Sequence, residues 1–385
     1  MKRGFLLLWL AVGTMLVAAC AAQGRPATSG NAPIKIGVVM DQTGSASYYS
    51  KESEKGVRLA VERINGAGGV DGRMLEMVVE DDQNNPAQSA QKVRKLASDK
   101  DIVAVLSVSG SASALQNQVA AQEEKLPEIA PTNIANSLTQ EFRSYFFRLG
   151  ASDAHYVDVI MSTAADQFKK VAIIGDNTQT GLATRDSWAQ SLRERGVEVV
   201  TVEQIDTGAT DATAQVLNMK NAGAELVLLT GQGAPELALI TRTIRQQNWD
   251  VAIMGGLTIG GAPAFLDLAK EAANGILFTD LVDDDKAALQ EFKKNFKAKY
   301  GEDQTVTANA TLSYDAVYLL ADAIEAGGAT REGIRGALEK ITGWDKGVSG
   351  RADSTADFGS NDHQGYDSSA VVIRTFKDQQ PAKYK

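Results

Sequence analysis

Four serines fall within seven residues at a predicted turn from a strand into a helix, in the segment 107–113 (SVSGSAS). The start of a helix presents unpaired backbone N–H groups and a partial positive charge, which suit a carboxylate or another anion. Small hydroxyl side chains add hydrogen-bond donors and let a ligand come close. The segment therefore predicts an anion-binding site at Ser109 and Ser111, with an ordinary serine N-cap as the alternative.

Other candidate contacts follow neighbouring predicted strands. In open α/β sheets a ligand binds beyond the carboxyl ends of the strands, so the residues just after each strand are the ones to consider. By this topology the candidates are Thr132, Asn133, Ile134, Thr180, Gln232, Leu257 and Thr258. The alternative for each of them is a plain surface turn.

Motifs for catalysis are missing from the sequence. It has no G-x-x-x-x-G-K-[ST] loop, no complete G-x-G-x-x-G, no G-x-S-x-G elbow and no H-E-x-x-H. The two histidines, His155 and His363, lie far apart and are predicted at the surface or at a hinge. The acidic run 283–285 lacks the alternating oxygens of a calcium loop and is predicted to cap the next helix. We expect no enzymatic activity, no cofactor and no metal site.

Composition excludes several classes of protein. The 385 residues are 44% hydrophobic and 23% charged, as in ordinary soluble domains. Acidic residues outnumber basic ones by 48 to 39, giving a net charge of −9. Proteins that bind a phosphate backbone normally show a basic excess, so nucleic acid is not an expected partner.

The N-terminus has the layout of an export signal. Lys2 and Arg3 precede an apolar run at 5–19, which is short for a membrane span. The run ends Leu-Val-Ala-Ala before Cys20, which resembles the lipobox of bacterial lipoproteins and implies a lipid on this cysteine. A plain signal peptide with an incidental cysteine is the alternative. The small and polar residues 21–33 predict a flexible tether.

From residue 34 onward, short apolar runs alternate with amphipathic stretches. Runs rich in β-branched residues, such as 34–40 (IKIGVVM) and 170–176 (KVAIIGD), predict strands buried on both faces of a parallel sheet. The order of elements repeats along the chain, since 102–113 (IVAVLSVSGSAS) is echoed by 226–236 (LVLLTGQGAPE). The pattern predicts an α/β fold with two similar doubly wound lobes, hinged around a central ligand cleft.

The motifs together resemble the branched-chain amino-acid-binding family of ABC-transporter solute receptors, which has the type I periplasmic-binding fold. The segments that carry the resemblance are 34–44 (IKIGVVMDQTG), 60–73 (AVERINGAGGVDGR), 79–93 (VEDDQNNPAQSAQKV), 106–114 (LSVSGSASA), 130–139 (APTNIANSLT), 172–181 (AIIGDNTQTG) and 312–328 (LSYDAVYLLADAIEAGG). The resemblance covers about 34–376. It implies a non-catalytic receptor that delivers a small solute to the permease of an importer.

The resemblance also implies roles for individual residues. Ser111 corresponds to the serine that holds the ligand carboxylate, with Asn133 and Ile134 in the next loop. The tyrosine before the first long helix falls at Tyr49, or at Tyr48.

The end of the site that binds the ligand ammonium departs from the family pattern. An acid is expected after the strand at 251–256, where this chain has Leu257 and Thr258. Two aromatic positions are replaced by Thr180 and by the stretch that begins at Gln232. A buried ammonium without a counterion is unfavourable. Either another acid serves, with Asp41 and Asp176 as candidates, or the ligand is a carboxylate without an α-amino group.

The predicted organisation is a signal peptide at 1–19, a lipidated cysteine and tether at 20–33, lobe one at 34–150 plus 281–346, and lobe two at 151–280 plus 347–385. The expected protein is a monomer, anchored through Cys20 in the periplasm or at the cell surface. It would capture an amino acid or a related carboxylate for an ABC permease. A ligand-sensing lobe for a signalling partner is the alternative, and a serine hydrolase is a third reading that lacks a visible base.

Overall fold

The computed structural model describes residues 32–44, 47–231, 233–261 and 263–384. The predicted signal peptide, Cys20 and most of the tether lie outside the described residues, as does Gln232. Within the described residues, no helix combines the length and the apolar character that crossing a membrane requires.

Five parallel strands form the first sheet in the order β2-β1-β3-β4-β5. They are β1 (Ile34–Met40), β2 (Leu75–Asp81), β3 (Ile102–Ser107), β4 (Glu128–Ala130) and β5 (Phe146–Arg148). The connecting helices are α1 (Ser47–Gly66), α2 (Pro86–Ser98) and α3 (Ser111–Glu124). Every residue of β3 is buried, as a strand covered on both faces requires.

Seven strands form the second sheet in the order β12-β11-β10-β9-β8-β6-β7. The strands are β6 (Lys170–Asp176), β7 (Glu198–Ile205), β8 (Leu226–Thr230), β9 (Ala252–Gly255), β10 (Leu277–Asp280), β11 (Val372–Lys377) and β12 (Gln380–Lys383). The helices between its strands are α4 (Asp153–Gln167), α5 (Gln179–Glu194), α6 (Thr213–Asn221), α7 (Ala234–Gln246), α8 (Leu257–Gly261) and α9 (Pro263–Ala269). Strands β6 to β10 pair in parallel, whereas β11 and β12 are antiparallel.

After β10 the chain returns to the core of the first sheet. The helices there are α10 (Ala287–Tyr300), α11 (Ala308–Gly327) and α12 (Arg331–Leu338). Phe292 and Leu320 share a hydrophobic cluster with Ile36 of β1, and Phe358 and Tyr366 belong to that cluster too. The chain joins the second sheet again only at β11.

The predicted α/β architecture with parallel sheets is confirmed. The exact lobe boundaries and the hinge between the lobes stay predictions. One local expectation was wrong. Helix α10 begins at Ala287 with no side-chain cap, because Asp283 accepts from the backbone N–H groups of Asp285 and Ala352 instead. His363 is buried, stacked on Phe147 at 3.9 Å between ring centroids, which excludes a position at the surface. Its place at a hinge stays a prediction.

Helices α1 and α11 approach closely at a glycine. A Cβ atom added to Gly56 would lie 2.0 Å from the carbonyl oxygen of Ala310, far inside van der Waals contact. Both helices are central to the first core, since Val57 and Leu320 are fully buried in one cluster. The lack of a side chain at Gly56 therefore allows the two helices to lie this close together.

We expect Gly56→Ala to lower the free energy of unfolding by roughly 1–3 kcal/mol, since the helices must separate to fit the methyl group. Gly336→Ala in α12 is the matched control, because nothing lies within 4 Å of the added atom. It should be neutral, or stabilising by up to about 1 kcal/mol. Urea denaturation of both variants checks this, and equal effects would contradict it.

Glu128 is a buried acid in the strand that leads to the predicted ligand loop. The side chain is fully buried, and neither carboxyl oxygen has a hydrogen-bond partner. Burial raises the pKa of Glu128 to about 8, although the nearby Ser107 hydroxyl offsets part of this effect. The carboxyl group is therefore predominantly protonated and neutral at pH 7.

This raised pKa predicts a loss of stability as pH rises. Between the unfolded pKa near 4.3 and the folded pKa near 8, only the folded state keeps the proton, so the free energy of unfolding falls with pH. The total loss from this group is on the order of 5 kcal/mol. Glu128→Gln keeps a neutral side chain at every pH, so the free energy of unfolding of this variant should fall less steeply as pH rises. Urea denaturation at pH 5, 7 and 8.5 measures it, and parallel slopes in both proteins would refute the argument.

Candidate functional site

A cavity of about 650 Å³ lies where the carboxyl ends of strands from both sheets meet. The first sheet contributes the turn after β3 and the loop after β4, and the second contributes residues after β8, β9 and β10. The remaining walls come from α4, α5 and the start of α11. The site is therefore built at the strand ends that the α/β topology predicts.

The cavity brings together eight of the residues predicted from the sequence. These are Tyr49, Ser109, Ser111, Thr132, Asn133, Ile134, Leu257 and Thr258. Tyr48 lines an adjoining depression of about 390 Å³, which shares Thr305 and Thr307 with the cavity lining. Thr180 belongs to α5, but its side chain lies outside the description, as does all of Gln232. That the eight residues contact a ligand stays a prediction.

Helix α3 begins at the cavity wall without a side-chain cap. Its N-cap is Gly110, which has no side chain to accept from the first N–H groups. Helices α4 and α5 differ, because Ser152 and Thr178 accept a backbone N–H from their first turns. The first turn of α3 thus has no side-chain acceptor, and the helix dipole favours negative charge there. That it binds an anion stays a prediction.

The loop after β4 packs against this helix start. Asn133 donates from Nδ2 to the carbonyl of Ser109 at 2.7 Å, and Ser111 Oγ accepts from the N–H of Ala135 at 3.3 Å. Ser109 Oγ and Asn133 Oδ1 are buried without a hydrogen-bond partner. Buried polar atoms are normally paired, so these two offer a donor and an acceptor to a molecule in the cavity.

The opposite wall is mostly apolar. Trp188 of α5 and Leu229 of β8 are buried there, and Leu257 at the start of α8 is partly buried. The hydroxyls of Thr230 and Thr279 lie in the same wall without a partner. This side can hold an apolar group, and its two hydroxyls can hydrogen-bond to a polar atom of a ligand.

Two acids line the cavity, and neither was predicted from the sequence. Asp280 pairs with the buried Arg374 at 3.1 Å and also accepts from the N–H of Leu281. Desolvation raises the pKa of the Asp280 carboxyl despite this arginine. Asp153 begins α4, and desolvation by the surrounding protein raises the pKa of its carboxyl, although water still reaches the side chain. No side-chain partner for Asp153 occurs within the described part of the chain.

The two acids suggested from the sequence do not line the cavity. The carboxylate of Asp41 turns back to accept from the N–H of Gly44, and that of Asp176 accepts from Thr178 and from the N–H of Gly233. A short acid after a strand readily binds the turn that follows it. As counterions for a ligand in this cavity, both suggestions were wrong.

Sequence reasoning also missed Tyr156, Trp188 and Asn309. These residues lie on helices rather than at strand ends. Trp188 falls within an amphipathic pattern, where an aromatic residue reads as core. Nothing in the local sequence signals that its helix forms a wall of the cavity. His155 is no such residue: its Nδ1 accepts from the N–H of Ser152 and completes the cap of α4.

Arg148 fixes the loop that follows β4. The guanidinium donates to the carbonyl of Ala135 at 2.7 Å, to the hydroxyl of Thr139 at 2.9 Å and to Oε1 of Gln364 at 2.5 Å. The side chain is buried, and desolvation lowers the pKa of Arg148 to about 10. Gln364 in turn donates to the carbonyl of Gly150 at 2.8 Å. One cation thereby ties the ligand loop to a chain segment more than 200 residues later.

We expect Arg148→Lys to loosen this loop selectively. A lysine keeps the charge but cannot reach three acceptors in this fork geometry. Hydrogen–deuterium exchange should accelerate in residues 132–139, with a loss of roughly 2–4 kcal/mol in the free energy of unfolding. Arg195→Lys, at an exposed pair with Asp158, is the control and should change neither. Unchanged exchange in the loop would contradict the assigned role.

The fold and the site together define a two-sheet α/β receptor with an interior site for a small molecule. A sequence model of the periplasmic binding protein family matches residues 33–373. The chain belongs to this family of extracytoplasmic solute receptors. The match confirms the resemblance that the sequence motifs carry.

Curated relatives and solved structures agree with this assignment. The leucine-, isoleucine-, valine-, threonine- and alanine-binding protein of Pseudomonas aeruginosa is 27% identical over 351 residues, covering 89% of this chain and 90% of the relative. A Leu/Ile/Val-binding protein homolog of Brucella melitensis is 27% identical, covering 79% and 82%. The branched-chain amino acid substrate-binding protein LivJ of Streptococcus pneumoniae, solved with isoleucine, has a TM-score of 0.75 at 26% identity, covering 91% and 97%.

A type 1 periplasmic binding protein from Bordetella pertussis gives a TM-score of 0.73 at 26% identity, covering 91% of this chain and 99% of that one. The chain thus spans nearly the full length of these relatives.

Proposed function

We propose that this protein is a non-catalytic receptor that binds a small amino acid in the cavity and delivers it to the permease of an ABC importer. The observation that carries the proposal is the start of α3, which meets the cavity without a side-chain cap. Uncapped N–H groups at a helix start suit the carboxylate that every amino acid carries. The buried, unpartnered atoms of Ser109 and Asn133 add a donor and an acceptor beside it.

Asp153 supports an amino acid over a carboxylate without an amine. The position after β9 carries Leu257 and Thr258, so no acid follows that strand. Asp280 is already neutralised by Arg374, whereas Asp153 has no charged partner among the described residues. A partly desolvated carboxylate that faces a cavity favours a ligand with a positive group. We assign Asp153 to the ligand ammonium.

The apolar wall supports a hydrophobic ligand side chain. Trp188, Leu229 and Leu257 present carbon surface, and only neutral hydroxyls accompany them. A volume of about 650 Å³ is within the usual range of small-molecule sites. The relatives named for leucine, isoleucine and valine agree with such a ligand. Leucine, isoleucine, valine and the aromatic amino acids are thus the candidates.

The receptor would work outside the cytoplasm. The export signal and the cysteine at position 20 support a lipid anchor, with the body tethered to the membrane. We infer no enzymatic activity, because no histidine lines the described part of the cavity to pair with the nearby serines.

A binding panel tests this proposal. Each apolar amino acid is paired with its deaminated acid, for example leucine with 4-methylpentanoate, on protein refolded to remove carried-over ligand. An amino acid should bind, and its deaminated partner should bind at least tenfold more weakly. Asp153→Asn should lower the amino acid affinity by about 10- to 100-fold, since a hydrogen bond to a charged group is worth roughly 1.5–3 kcal/mol. Isothermal titration calorimetry measures each affinity.

Asp166→Asn is the matched control, since Asp166 lies on the same helix and is exposed like Asp153, but does not line the cavity. It should leave every affinity unchanged. Binding of the deaminated acids alone would reject the amino acid and keep the carboxylate receptor. Failure of every carboxylate in the panel would reject the receptor proposal itself.

A further inference from the structure

A row of residues with small or polar side chains lies where the second sheet meets the cavity. One step back from the cavity, residues of β8, β9 and β10 pair side by side within one hydrophobic cluster: Leu228, Met254 and Leu277. Because every second residue of a strand lies on the same face, the next row on this face is Thr230, Gly256 and Thr279. All three of these residues line the cavity. This face of the sheet therefore changes from apolar to polar at the ligand site.

The two threonines of this row carry buried hydroxyl groups. Thr230 and Thr279 are only 2% and 0% exposed, and within the described part of the chain neither Oγ1 atom has a hydrogen-bond partner. Thr230 Oγ1 lies beside Gly175 of β6, where an added Cβ atom would be 2.2 Å away, and a χ1 rotation would bring it to the side of Gly256. A buried hydroxyl without a partner is unfavourable, so a ligand that bonds to it gains affinity.

Between the two threonines the row has a gap at Gly256. A Cβ atom added there would meet nothing closer than Cδ1 of Ile160, at 3.8 Å. Strands β8 and β10 lie on either side of β9, so the two threonines are two strand spacings apart, or roughly 10 Å. A ligand atom above Gly256 therefore lies between two hydroxyls, each of which can donate and accept a hydrogen bond.

Two aromatic side chains lie on the helices that cover this face. Ile160 of α4 and Trp188 of α5 belong to the same hydrophobic cluster as Met254, and Tyr156 lies one helical turn before Ile160. Tyr156 and Trp188 are buried, and both line the cavity. Aromatic rings pack favourably against one another in offset or edge-to-face contacts. The space beside the gap therefore suits an aromatic ring of the ligand.

The charges near this row favour a neutral side chain on the ligand. No lysine, arginine or histidine is among the described residues that line the cavity, so an acidic side chain would find no cation there. Asp280, which follows Thr279, already pairs with Arg374 at 3.1 Å, so a basic side chain would compete with this arginine. An aliphatic side chain would leave both threonine hydroxyls unpaired, which is unfavourable. A neutral side chain that ends in a hydrogen-bonding group avoids all three penalties.

We propose that the preferred ligand is an amino acid whose aromatic side chain carries a hydroxyl group, bound above Gly256 by Thr279 and Thr230. A phenolic hydroxyl can donate to one threonine and accept from the other. The inference rests on the proposed function, because the start of α3 and Asp153 must first hold the charged ends of the ligand. It narrows the candidates, since leucine, isoleucine, valine and phenylalanine leave the two hydroxyls unpaired.

Calorimetric titration of refolded protein with L-tyrosine and L-phenylalanine tests the inference, because these two ligands differ by one hydroxyl group. A site built to bond a hydroxyl discriminates against the analogue that lacks it. Tyrosine should bind about 10- to 100-fold more tightly than phenylalanine, and more tightly than leucine.

Thr279→Val keeps a β-branched side chain and removes its hydroxyl. This variant should reduce the preference for tyrosine over phenylalanine to about threefold or less, through weaker tyrosine binding. A purely structural role of Thr279 would weaken both ligands equally and keep the preference. Thr243→Val is the matched control, since Thr243 is a buried threonine outside the cavity lining that donates to the carbonyl of Leu239 at 2.9 Å. It should leave the preference unchanged.

Gly256→Ala tests the gap without removing a hydroxyl. The added methyl group fits the fold, with Ile160 3.8 Å away, but it fills the space that the ligand hydroxyl needs. Tyrosine should bind this variant at least about tenfold more weakly, and phenylalanine should lose less affinity.

Two results would overturn the inference and leave the amino acid receptor intact. One is a wild-type protein that binds phenylalanine or leucine as tightly as tyrosine, and the other is a tyrosine preference that persists in Thr279→Val. If Thr279→Val does not fold, an unchanged tyrosine affinity in Gly256→Ala overturns the inference instead. Failure of the wild-type protein to bind any amino acid would reject the proposed function itself.

Discussion

The Arg148 guanidinium joins two segments of the protein that the sequence keeps far apart. Through Ala135 and Thr139 it holds the loop after β4, and through Gln364 it holds the segment that leads to β11. All three acceptors are neutral, so the bonds replace water without neutralising the charge. Burying a cation in this way is expensive, and it is tolerated only where the geometry it fixes is needed. Here the fixed element is the loop beside the start of α3.

The cavity wall also contains buried polar groups that are unfavourable in the folded protein by themselves. Most buried polar atoms of a folded protein are paired, yet Ser109, Asn133, Thr230 and Thr279 each leave one polar atom unpartnered there. These atoms lost their contact with water when the protein folded, so ligand binding does not incur that desolvation penalty again. A ligand that bonds to them gains the interaction without displacing an internal partner. The unsatisfied atoms lie on both walls, so a ligand that spans the cavity would satisfy both sheets at once.

The sequence was sufficient for the fold and for one wall of the site. Continuous apolar runs predict buried parallel strands, and parallel strands place their carboxyl ends together, which brings Ser109, Ser111 and Asn133 into the cavity lining. The expectation that residues just after a strand face the ligand did not hold for Asp41 and Asp176, because each carboxylate accepts a hydrogen bond from the turn that follows it. Such local bonds depend on side-chain rotamers, which a pattern of residue types does not specify.

The second wall could not be predicted because tertiary packing assembles it. Asp153 and Trp188 lie on α4 and α5, where the sequence reads only as amphipathic helix. Asp280 ends β10, but a strand-end acid at a crossover does not reveal whether it meets a ligand or an arginine. Only the packing of β11 beside β10 brings Arg374 to it. Whether an acid is already paired within the protein or can bind a ligand therefore depends on the folded structure.

The position of Asp153 would place the binding sites for both charged ends of the ligand on one part of the protein. Its N–H donates to the carbonyl of Ile134 at 2.8 Å, which ties the start of α4 to the same loop that Arg148 holds. If α3 binds the carboxylate and Asp153 the ammonium, both charged ends of the ligand meet one continuous, rigid framework. The rest of the wall from the second sheet then contributes apolar contact, neutral hydroxyls and Asp280, whose carboxylate already pairs with Arg374. Different residues would then recognise the charged ends of the ligand and its side chain. A substitution of Leu257 or Trp188 would alter the side chain that is preferred without disturbing the groups that bind the charges.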